Sequence, residues 1–234
     1  RAHAALQVVR TFPRLTAPAA VAAVSLHRAG LLQPDERPGD PSQIPAKIYQ
    51  FWQDREMPSD VAQMSASWAI QNSGFAHEVF DDRRARAYLA EGPDPAVLRA
   101  YRRAEHPAKR ADLLRLAILW RDGGIYADAD DRCLKPIAPL LAEPARLVLA
   151  LEHLGTTGNI FMAAAPGHPV IGAALAEAVE AIEGGAMESL WLSTGPGLLT
   201  RAAMRWLAEA APEAFQSRCA EFNLLPASLL RRYV

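Results

Sequence analysis

The stretch that decides the fold is residues 109–135, which read KRADLLRLAILWRDGGIYADADDRCLK. Good helix formers fill residues 108–121, and Gly123-Gly124 follows as a helix stop, so we predict a helix there. Apolar side chains lie almost all around this helix, which predicts that it is buried; they are Ala111, Leu113, Leu114, Leu116, Ala117, Ile118, Leu119 and Trp120. Residues 124–128 then form a short apolar run that predicts a buried strand.

Segments of alternating strand and helix character lie on both sides of this stretch. Strands are predicted at residues 47–52, 75–80, 124–128, 146–151 and 159–164. Helices are predicted at residues 61–69, 82–91, 169–183 and 198–210, with a further one that Asp94 caps and Pro95 begins. This alternation predicts an α/β fold with a mainly parallel central sheet covered on both faces. Ligands of such sheets bind beyond the carboxyl ends of the strands.

The first 43 residues differ in composition from the rest of the chain. Residues 1–33 are rich in alanine and in helix formers, and the following stretch predicts a linker because it contains Pro34, Pro38, Gly39, Pro41 and Pro45. We therefore predict an N-terminal helical extension and linker at residues 1–43 and an α/β domain at residues 44–234. The extension has no acidic residue before position 35 but carries Arg1, Arg10, Arg14 and Arg28. That pattern is typical of a helical extension docked on the domain, which we favour, or of a basic helix at a membrane surface.

Composition limits the classes of function. With 234 residues, half of them apolar, the chain can bury a sizeable core. The net charge of −1 argues against a nucleic-acid partner, which requires a strong basic excess. Cys133 and Cys219 form neither a metal-ligand pair nor a disulfide framework, which favours a reducing compartment. We therefore expect a cytoplasmic protein, which could also associate peripherally with the inner face of the membrane.

Three carboxylates follow the predicted strand at residues 124–128. Asp128, Asp130 and Asp131 repel each other unless a cation lies among them, and Mg²⁺ or Mn²⁺ prefers such oxygen ligands. Strand alternation would place Asp128 and Asp130 on one face and Asp131 on the other, so we predict that the first two hold the metal. The metal could then bridge the two phosphates of a nucleotide diphosphate. The alternative is a solvated acidic turn.

Asp112 and Arg115 lie three residues apart in the predicted buried helix and so share one of its faces. Charges inside an otherwise apolar helix are costly unless they are paired. One interpretation is a structural ion pair. The other is that Asp112 accepts hydrogen bonds from sugar hydroxyls while Arg115 lies near the diphosphate or the sugar.

Taken together, these motifs resemble the sugar transferases with a DXD motif, a family that includes initiating α-mannosyltransferases, bacterial capsular and lipooligosaccharide transferases and, more distantly, large glucosylating toxins. The resemblance covers residues 44–205. Its landmarks occur in order: Ile44-Pro45-Ala46-Lys47-Ile48 with Gln50 and Trp52, Ser67-Trp68, Asp81-Asp82, Asp112-Leu113-Leu114-Arg115, Gly123-Gly124-Ile125-Tyr126, Asp128-Ala129-Asp130, Asn159 with Phe161-Met162-Ala163, Gly167-His168-Pro169 and Thr194-Gly195-Pro196-Gly197. The resemblance implies a GT-A fold, a Rossmann-like α/β sandwich.

The resemblance also implies roles for single residues. Trp52 would lie near the nucleotide base, with Phe51 beside it in the donor site; the alternative for Trp52 is a core aromatic at a strand end. Asp112 and Arg115 would hold the donor sugar. Asp128 would contact the sugar or ribose and assist the metal. Asp130 would coordinate the metal directly, so Asp112, Arg115, Asp128 and Asp130 form the predicted catalytic set.

Four further landmarks are given weaker roles. Asn159 is similar to a polar residue that lines the sugar pocket. Gly195 belongs to the tight turn Thr194-Gly195-Pro196-Gly197, whose N–H groups could face an anion or an acceptor, with a purely structural turn as the alternative. Tyr126 is expected to pack within its strand. His168, between Gly167 and Pro169, is expected to be a helix-entry residue, with a role as a ligand as the alternative.

The sequence therefore predicts a glycosyltransferase that uses Mn²⁺ or Mg²⁺. It would move a sugar from a nucleotide-diphosphate sugar donor to a glycan, a lipid-linked molecule or another acceptor, and the resemblance implies retention of anomeric configuration. One alternative is a nucleotide-sugar-binding subunit without transfer activity. Another is an effector-type transferase that modifies a protein.

Overall fold

The computed structural model describes residues 2–33, 43–142, 144–185 and 189–234. Arg1 and most of the predicted linker, residues 34–42, lie outside the described residues. The strands are β1 (Lys47–Phe51), β2 (Ala76–Phe80), β3 (Gly124–Ala127), β4 (Leu147–Leu151), β5 (Thr157–Ala164) and β6 (Phe222–Pro226). The helices are α1 (Ala2–Thr11), α2 (Thr16–Arg28), α3 (Ser59–Gln71), α4 (Asp82–Ala90), α5 (Pro95–Arg103), α6 (Pro107–Arg121), α7 (Pro169–Glu183), α8 (Leu190–Ser193), α9 (Pro196–Ala208), α10 (Pro212–Ala220) and α11 (Ala227–Leu230), with a 3-10 helix at Ala138–Leu141.

The six strands form one sheet in the order β2-β1-β3-β5-β4-β6. Neighbouring strands are parallel except that β5 runs antiparallel to both β3 and β4. The predicted α/β fold with a mainly parallel sheet is confirmed. The carboxyl ends of the five other strands meet along one side of the sheet, which we call the carboxyl edge; the residues that end there are Phe51, Phe80, Ala127, Leu151 and Pro226.

Side-chain alternation divides the sheet between two apolar clusters. Tyr49 and Tyr126 point into a large cluster that includes α1, α2, α4 to α7 and α9. Ile48 and Ile125, their neighbours along the same strands, point into a smaller cluster with α3, the 3-10 helix and α11. Both faces of the sheet are therefore covered, as a period of two within largely parallel strands requires.

The predicted central helix is confirmed as α6, in which residues 112–119 are buried. The prediction for Trp120 is wrong, because this side chain is 37% exposed. The last turn of α6 reaches the surface beside α7, where the indole lies against Gly172: a Cβ at that position would come within 2.7 Å of the ring. Gly124, with φ of 104°, then starts β3 so close to β1 that a Cβ would lie 2.8 Å from the Lys47 carbonyl oxygen.

The N-terminal helices α1 and α2 pack against each other and against α9. Leu6, Val9 and Leu26 are buried within the large cluster, and Arg201 Nη1 on α9 donates to Thr16 Oγ1 at 2.9 Å. This packing agrees with the favoured interpretation of a docked helical extension, while the domain boundary after residue 43 stays a prediction. Within the described part of the chain, no helix has both the length and the apolar character needed to cross a membrane.

His168 is the N-cap of α7, where its Nδ1 accepts from the Val170 N–H at 3.3 Å. Because His168 follows the antiparallel strand β5, it lies on the side of the sheet opposite to the carboxyl edge. Its ring packs edge-on against Trp206 with 5.1 Å between centroids. The expected helix-entry role is confirmed. Burial is the largest cause that lowers the pKa of His168 to about 4, and Arg146 lowers it further.

The substitution His168→Asn should flatten the dependence of stability on pH. The folded-state pKa of His168 lies below the ordinary value of 6.5, so the unfolded chain takes up the proton first. This histidine therefore contributes stability above about pH 6.5 that is lost as the pH falls towards 4. Asparagine keeps the cap but does not titrate. Between pH 7 and pH 4.5, urea unfolding should show that the wild type loses about 2 kcal/mol more than the variant. If the wild type and the variant lost the same free energy of unfolding over this pH range, His168 would not be buried in its neutral form.

Candidate active site

Three parallel strands that lie side by side bring two predicted site residues, Trp52 and Asp128, and the landmark Asp81 to the carboxyl edge. Trp52 follows β1, Asp81 follows β2 and Asp128 follows β3. The Trp52 N–H donates to the Phe80 carbonyl at 2.9 Å, so the pairing of β1 and β2 continues into the site. Asp81 also caps α4, accepting from the Arg84 N–H at 2.6 Å. The fold itself therefore gathers these residues.

Arg115 lies at the centre of a buried polar cluster behind the carboxyl edge. Its Nε is 3.5 Å from Asp112 Oδ1 and its Nη2 is 3.3 Å from Asp128 Oδ1. Its Nη1 donates to the backbone carbonyl of Asn159, and its guanidinium carbon lies 4.4 Å from the centroid of the Tyr126 ring. Tyr126, expected only to pack within its strand, thus also contacts the buried cation.

Both carboxylate oxygens of Asp112 accept hydrogen bonds from other side chains. Asn159 Nδ2 donates to Oδ1 at 2.9 Å, and Thr194 Oγ1 donates to Oδ2 at 2.8 Å. Within the described residues Asn159 Oδ1 has no hydrogen-bond partner although it is buried, so this oxygen can still accept a bond. Sequence reasoning missed Thr194, whose only signal was its place in the Thr-Gly-Pro-Gly turn before α9.

Burial and neighbouring charges oppose each other in this cluster. Burial raises the pKa of Asp112, although Arg115 and the bonds from Asn159 and Thr194 pull it down. Burial is also the largest cause that raises the pKa of Asp128 to about 6, and Asp131 and Asp130 add to it while Arg115 opposes. Arg115 carries one positive charge among several acidic groups. A further cation at this edge would therefore favour the ionised carboxylates.

The acidic motif is a turn and not the end of a strand. β3 ends at Ala127, and the Asp131 N–H donates back to the Asp128 carbonyl at 3.3 Å. The predicted strand alternation of Asp128 and Asp130 against Asp131 is therefore wrong. Asp128 turns inward to Arg115, whereas Asp130 is exposed.

Side chains from two other elements fix this turn through its backbone carbonyls. Gln50 Nε2 donates to the Asp128 carbonyl at 3.1 Å, and Trp68 Nε1 donates to the Asp131 carbonyl at 2.8 Å. The amide oxygen of Gln50 is held in turn by Ser65 Oγ at 2.6 Å and by His77 Nε2 at 2.8 Å. Gln50 and Trp68 were landmarks without a role in the sequence. Here they hold the turn by its backbone, with the carboxylate of Asp130 exposed.

The carboxylates of the turn fit a metal that is shared with a substrate. Across the described ranges, no group of three or more His, Cys, Asp or Glu side chains could hold a metal ion. Mg²⁺ sites that process phosphates commonly use one or two carboxylates and complete the coordination with water and substrate phosphates. The exposed Asp130 and the partly exposed Asp128 match that type of site rather than a cage made entirely of protein ligands.

Two cavities flank the turn along the carboxyl edge. The polar cavity, of about 460 Å³, lies at the ends of β1 and β2, and its lining includes Trp52, Arg55 and Arg83. The apolar cavity, of about 410 Å³, lies at the ends of β4 and β6, and its lining includes Asp131. The acidic turn at the end of β3 thus lies between them.

Two other predicted substrate contacts, Phe51 and Gly195, do not line the polar cavity as Trp52 does. Phe51 is buried in the large apolar cluster and is not part of the lining of the polar cavity, so it supports the site from behind. Gly195 is the N-cap of α9, and its N–H donates to the Leu190 carbonyl at 3.0 Å, which leaves it unavailable to an anion. The structural interpretation of that turn is therefore the one that the geometry favours.

Comparisons with known proteins find similarity to glycosyltransferases. Residues 58–147 match the family described as the glycosyltransferase sugar-binding region containing the DXD motif. Mannosyl phosphorylinositol ceramide synthase of Saccharomyces cerevisiae is 31% identical over 138 residues, which cover 59% of this chain and 35% of that protein. Inositol phosphoceramide mannosyltransferase 1 of Schizosaccharomyces pombe is 28% identical over 139 residues, covering 57% and 42%. An initiation-specific alpha-1,6-mannosyltransferase of the same organism is 26% identical over 191 residues, covering 67% and 48%.

The solved PaToxG glycosyltransferase has the same fold, with a TM-score of 0.61 at 16% identity over 86% of this chain and 82% of that one. The chain spans between about a third and a half of the length of the curated relatives it matches. The matched segment contains the acidic turn, the buried Asp112 and Arg115, and Trp68 beneath the turn. Residues 58–147 of this chain therefore match the glycosyltransferase sugar-binding family that contains the DXD motif.

Proposed function

We propose that this protein is a metal-dependent glycosyltransferase that moves a sugar from a nucleotide-diphosphate donor to a hydroxyl-bearing acceptor. The observation that carries the proposal is the position of Arg115. It lies behind the exposed acidic turn at the carboxyl edge and joins Asp112 and Asp128 in one buried cluster. A buried ion pair placed for stability alone does not require that the neighbouring Asn159 Oδ1 lack a hydrogen-bond partner among the described residues.

The donor would lie across the turn, with its nucleotide in the polar cavity. Trp52 offers a face for the base. The lining of the same cavity carries more basic than acidic residues, with Arg55, Arg83 and Arg84 against Asp54 and Asp81. A divalent metal held by Asp130 and Asp128 would neutralise negative charge on the leaving diphosphate. Mn²⁺ and Mg²⁺ both suit these ligands. The names of the yeast relatives favour a mannosyl donor as the first to be tested.

Asp112 and Asn159 would bind the hydroxyls of the donor sugar. Both oxygens of Asp112 already accept hydrogen bonds, which favours a binding role over attack on the sugar. In the transfer, the acceptor hydroxyl oxygen bonds to the anomeric carbon while the bond from that carbon to the diphosphate oxygen breaks, and the hydroxyl proton passes to the leaving diphosphate. Attack from the side of the leaving group gives retention, which the anomeric configuration of the first product, read by NMR, would test.

The proposal is tested by measuring nucleoside diphosphate released from a panel of nucleotide sugars, with Mn²⁺, with Mg²⁺ and with EDTA. We expect one donor to be turned over with metal and none with EDTA. Metal-dependent binding without release under any acceptor condition would instead favour the alternative of a binding subunit. Failure to bind or release any donor would contradict both.

We further propose that the protein associates peripherally with an anionic membrane, at the cytoplasmic face. Val8, Phe12 and Leu15 are exposed at the end of α1 and in the turn that follows, where the exposed side chains of Arg10 and Arg14 alternate with them. Apolar side chains among arginines suit the interface of a bilayer with anionic lipids.

The double substitution Phe12→Ser/Leu15→Ser should reduce co-flotation with phosphatidylglycerol vesicles by at least about tenfold, because the burial of each apolar side chain contributes about 1.5–3 kcal/mol. Ile70→Ser is the matched control, since Ile70 is 74% exposed on α3. Equal flotation of the three proteins would contradict the membrane proposal.

A further inference from the structure

The apolar cavity at the carboxyl edge has no part in binding the donor as proposed above. It is bounded by the residues that follow β4, by the first part of β5 and by α11. Asp131 of the acidic turn forms one side of it. Ile160, which also lines it, accepts the Asp128 N–H through its carbonyl at 3.0 Å. The cavity therefore adjoins the acidic turn.

The chemistry of this cavity differs from that of the polar cavity on the other side of the turn. Its lining is mainly aliphatic, with Leu151, Leu154, Ile160, Leu230 and Val234. Leu154 is 79% exposed, and exposing so much of an apolar side chain to water is unfavourable unless another molecule covers it. The lining also contains four polar or charged side chains, those of Asp131, Glu152, His153 and Arg231, and Arg231 Nη2 donates to His153 Nε2 at 2.9 Å.

The two cavities therefore fit two chemically different molecules, one on each side of the acidic turn. A nucleotide diphosphate is polar and anionic and suits the arginines at the ends of β1 and β2. An aliphatic cavity beside the turn instead suits an alkyl chain. Its polar residues can meet the head group of the same molecule.

We propose, on the basis of the proposed transferase function, that the acceptor is an amphiphile whose alkyl or isoprenoid chain lies in the apolar cavity and whose hydroxyl-bearing head reaches the acidic turn. Leu154 and Ile160 contact the chain close to the head. The cavity thereby selects acceptors by their apolar part, independently of the sugar that the donor carries.

Methyl NMR of the full chain with ¹³C-labelled isoleucine δ1 groups tests this proposal. The probes are butyl, hexyl and octyl glucoside, each below its micelle concentration. The Ile160 signal, assigned with Ile160→Leu, should shift on titration, while the signal of Ile70, an exposed isoleucine on α3, should stay in place. Each added methylene should tighten binding about fourfold, the change expected for burial of one CH₂ group.

The variant Leu154→Ser should weaken the binding of octyl glucoside about tenfold, and Ile70→Ser should leave it unchanged. Because Leu154 is largely exposed, its replacement is not expected to disturb folding. An unshifted Ile160 signal, shifts spread over all isoleucines, or affinity independent of chain length would overturn the amphiphile proposal. Release of nucleoside diphosphate by the wild type without acceptor tests the transferase proposal separately, so the two can fail independently.

Discussion

Replacing Arg115 by methionine should destabilise the protein by about 3–5 kcal/mol, the cost expected when one partner of a buried ion pair is removed. The guanidinium lies between Asp112 and Asp128 and donates to the Asn159 carbonyl. Methionine fills similar space but leaves the buried Asp112 without its cation. Turnover of the donor should be lost as well, because Asp112 and Asn159 would no longer be held in place.

Urea unfolding of Arg115→Met measures this cost, with Arg102→Met as the control, since Arg102 is an exposed arginine on α5. Adding Asp112→Asn to Arg115→Met should recover part of the lost stability, because the uncompensated charge is then removed. A loss below about 1 kcal/mol for Arg115→Met would contradict the central place of this arginine.

The substitution Asp130→Ala should lower the rate of donor turnover by about a thousandfold or more while changing stability by less than about 0.5 kcal/mol. The reason is that Asp130 is exposed, so its proposed role is confined to the metal and the diphosphate. Steady-state rates with saturating Mn²⁺ measure the effect.

Glu91→Gln, which removes an exposed carboxylate at the end of α4, is the control and should behave as the wild type. If Asp130→Ala kept more than a tenth of the wild-type rate, Asp130 would not be the metal ligand.

The helices and strands could be predicted well from the sequence because the residues that begin and end them lie within a few positions of each end. Asp81 and Asp94 cap α4 and α5, and Gly123 ends the region of α6, each through contacts within a few residues. The composition of residues 108–121 predicted a buried helix for the same reason, and only Trp120 at its surfacing end differs.

The candidate site was predicted less completely because its contacts are distant in sequence. Thr194 and Asp112 are 82 residues apart, and Gln50 and Asp128 are 78 apart. The alternation expected of a strand predicted that β3 continues through the acidic motif. The hydrogen bonds that Gln50 and Trp68 donate instead hold that motif as a turn. Such pairings depend on how elements distant in sequence pack together in the fold, which no single segment encodes.

The claim that Asp130 joins a metal to the diphosphate of the donor is tested most directly by a thermal-shift titration with the preferred nucleotide sugar. Wild type and Asp130→Ala would be compared with Mn²⁺ and with EDTA. At a hundredfold excess over its Kd, the donor should stabilise the wild type by about 2.7 kcal/mol in the presence of Mn²⁺. We expect that shift to disappear with EDTA and in Asp130→Ala. A donor shift that persists unchanged in either case would contradict the claim.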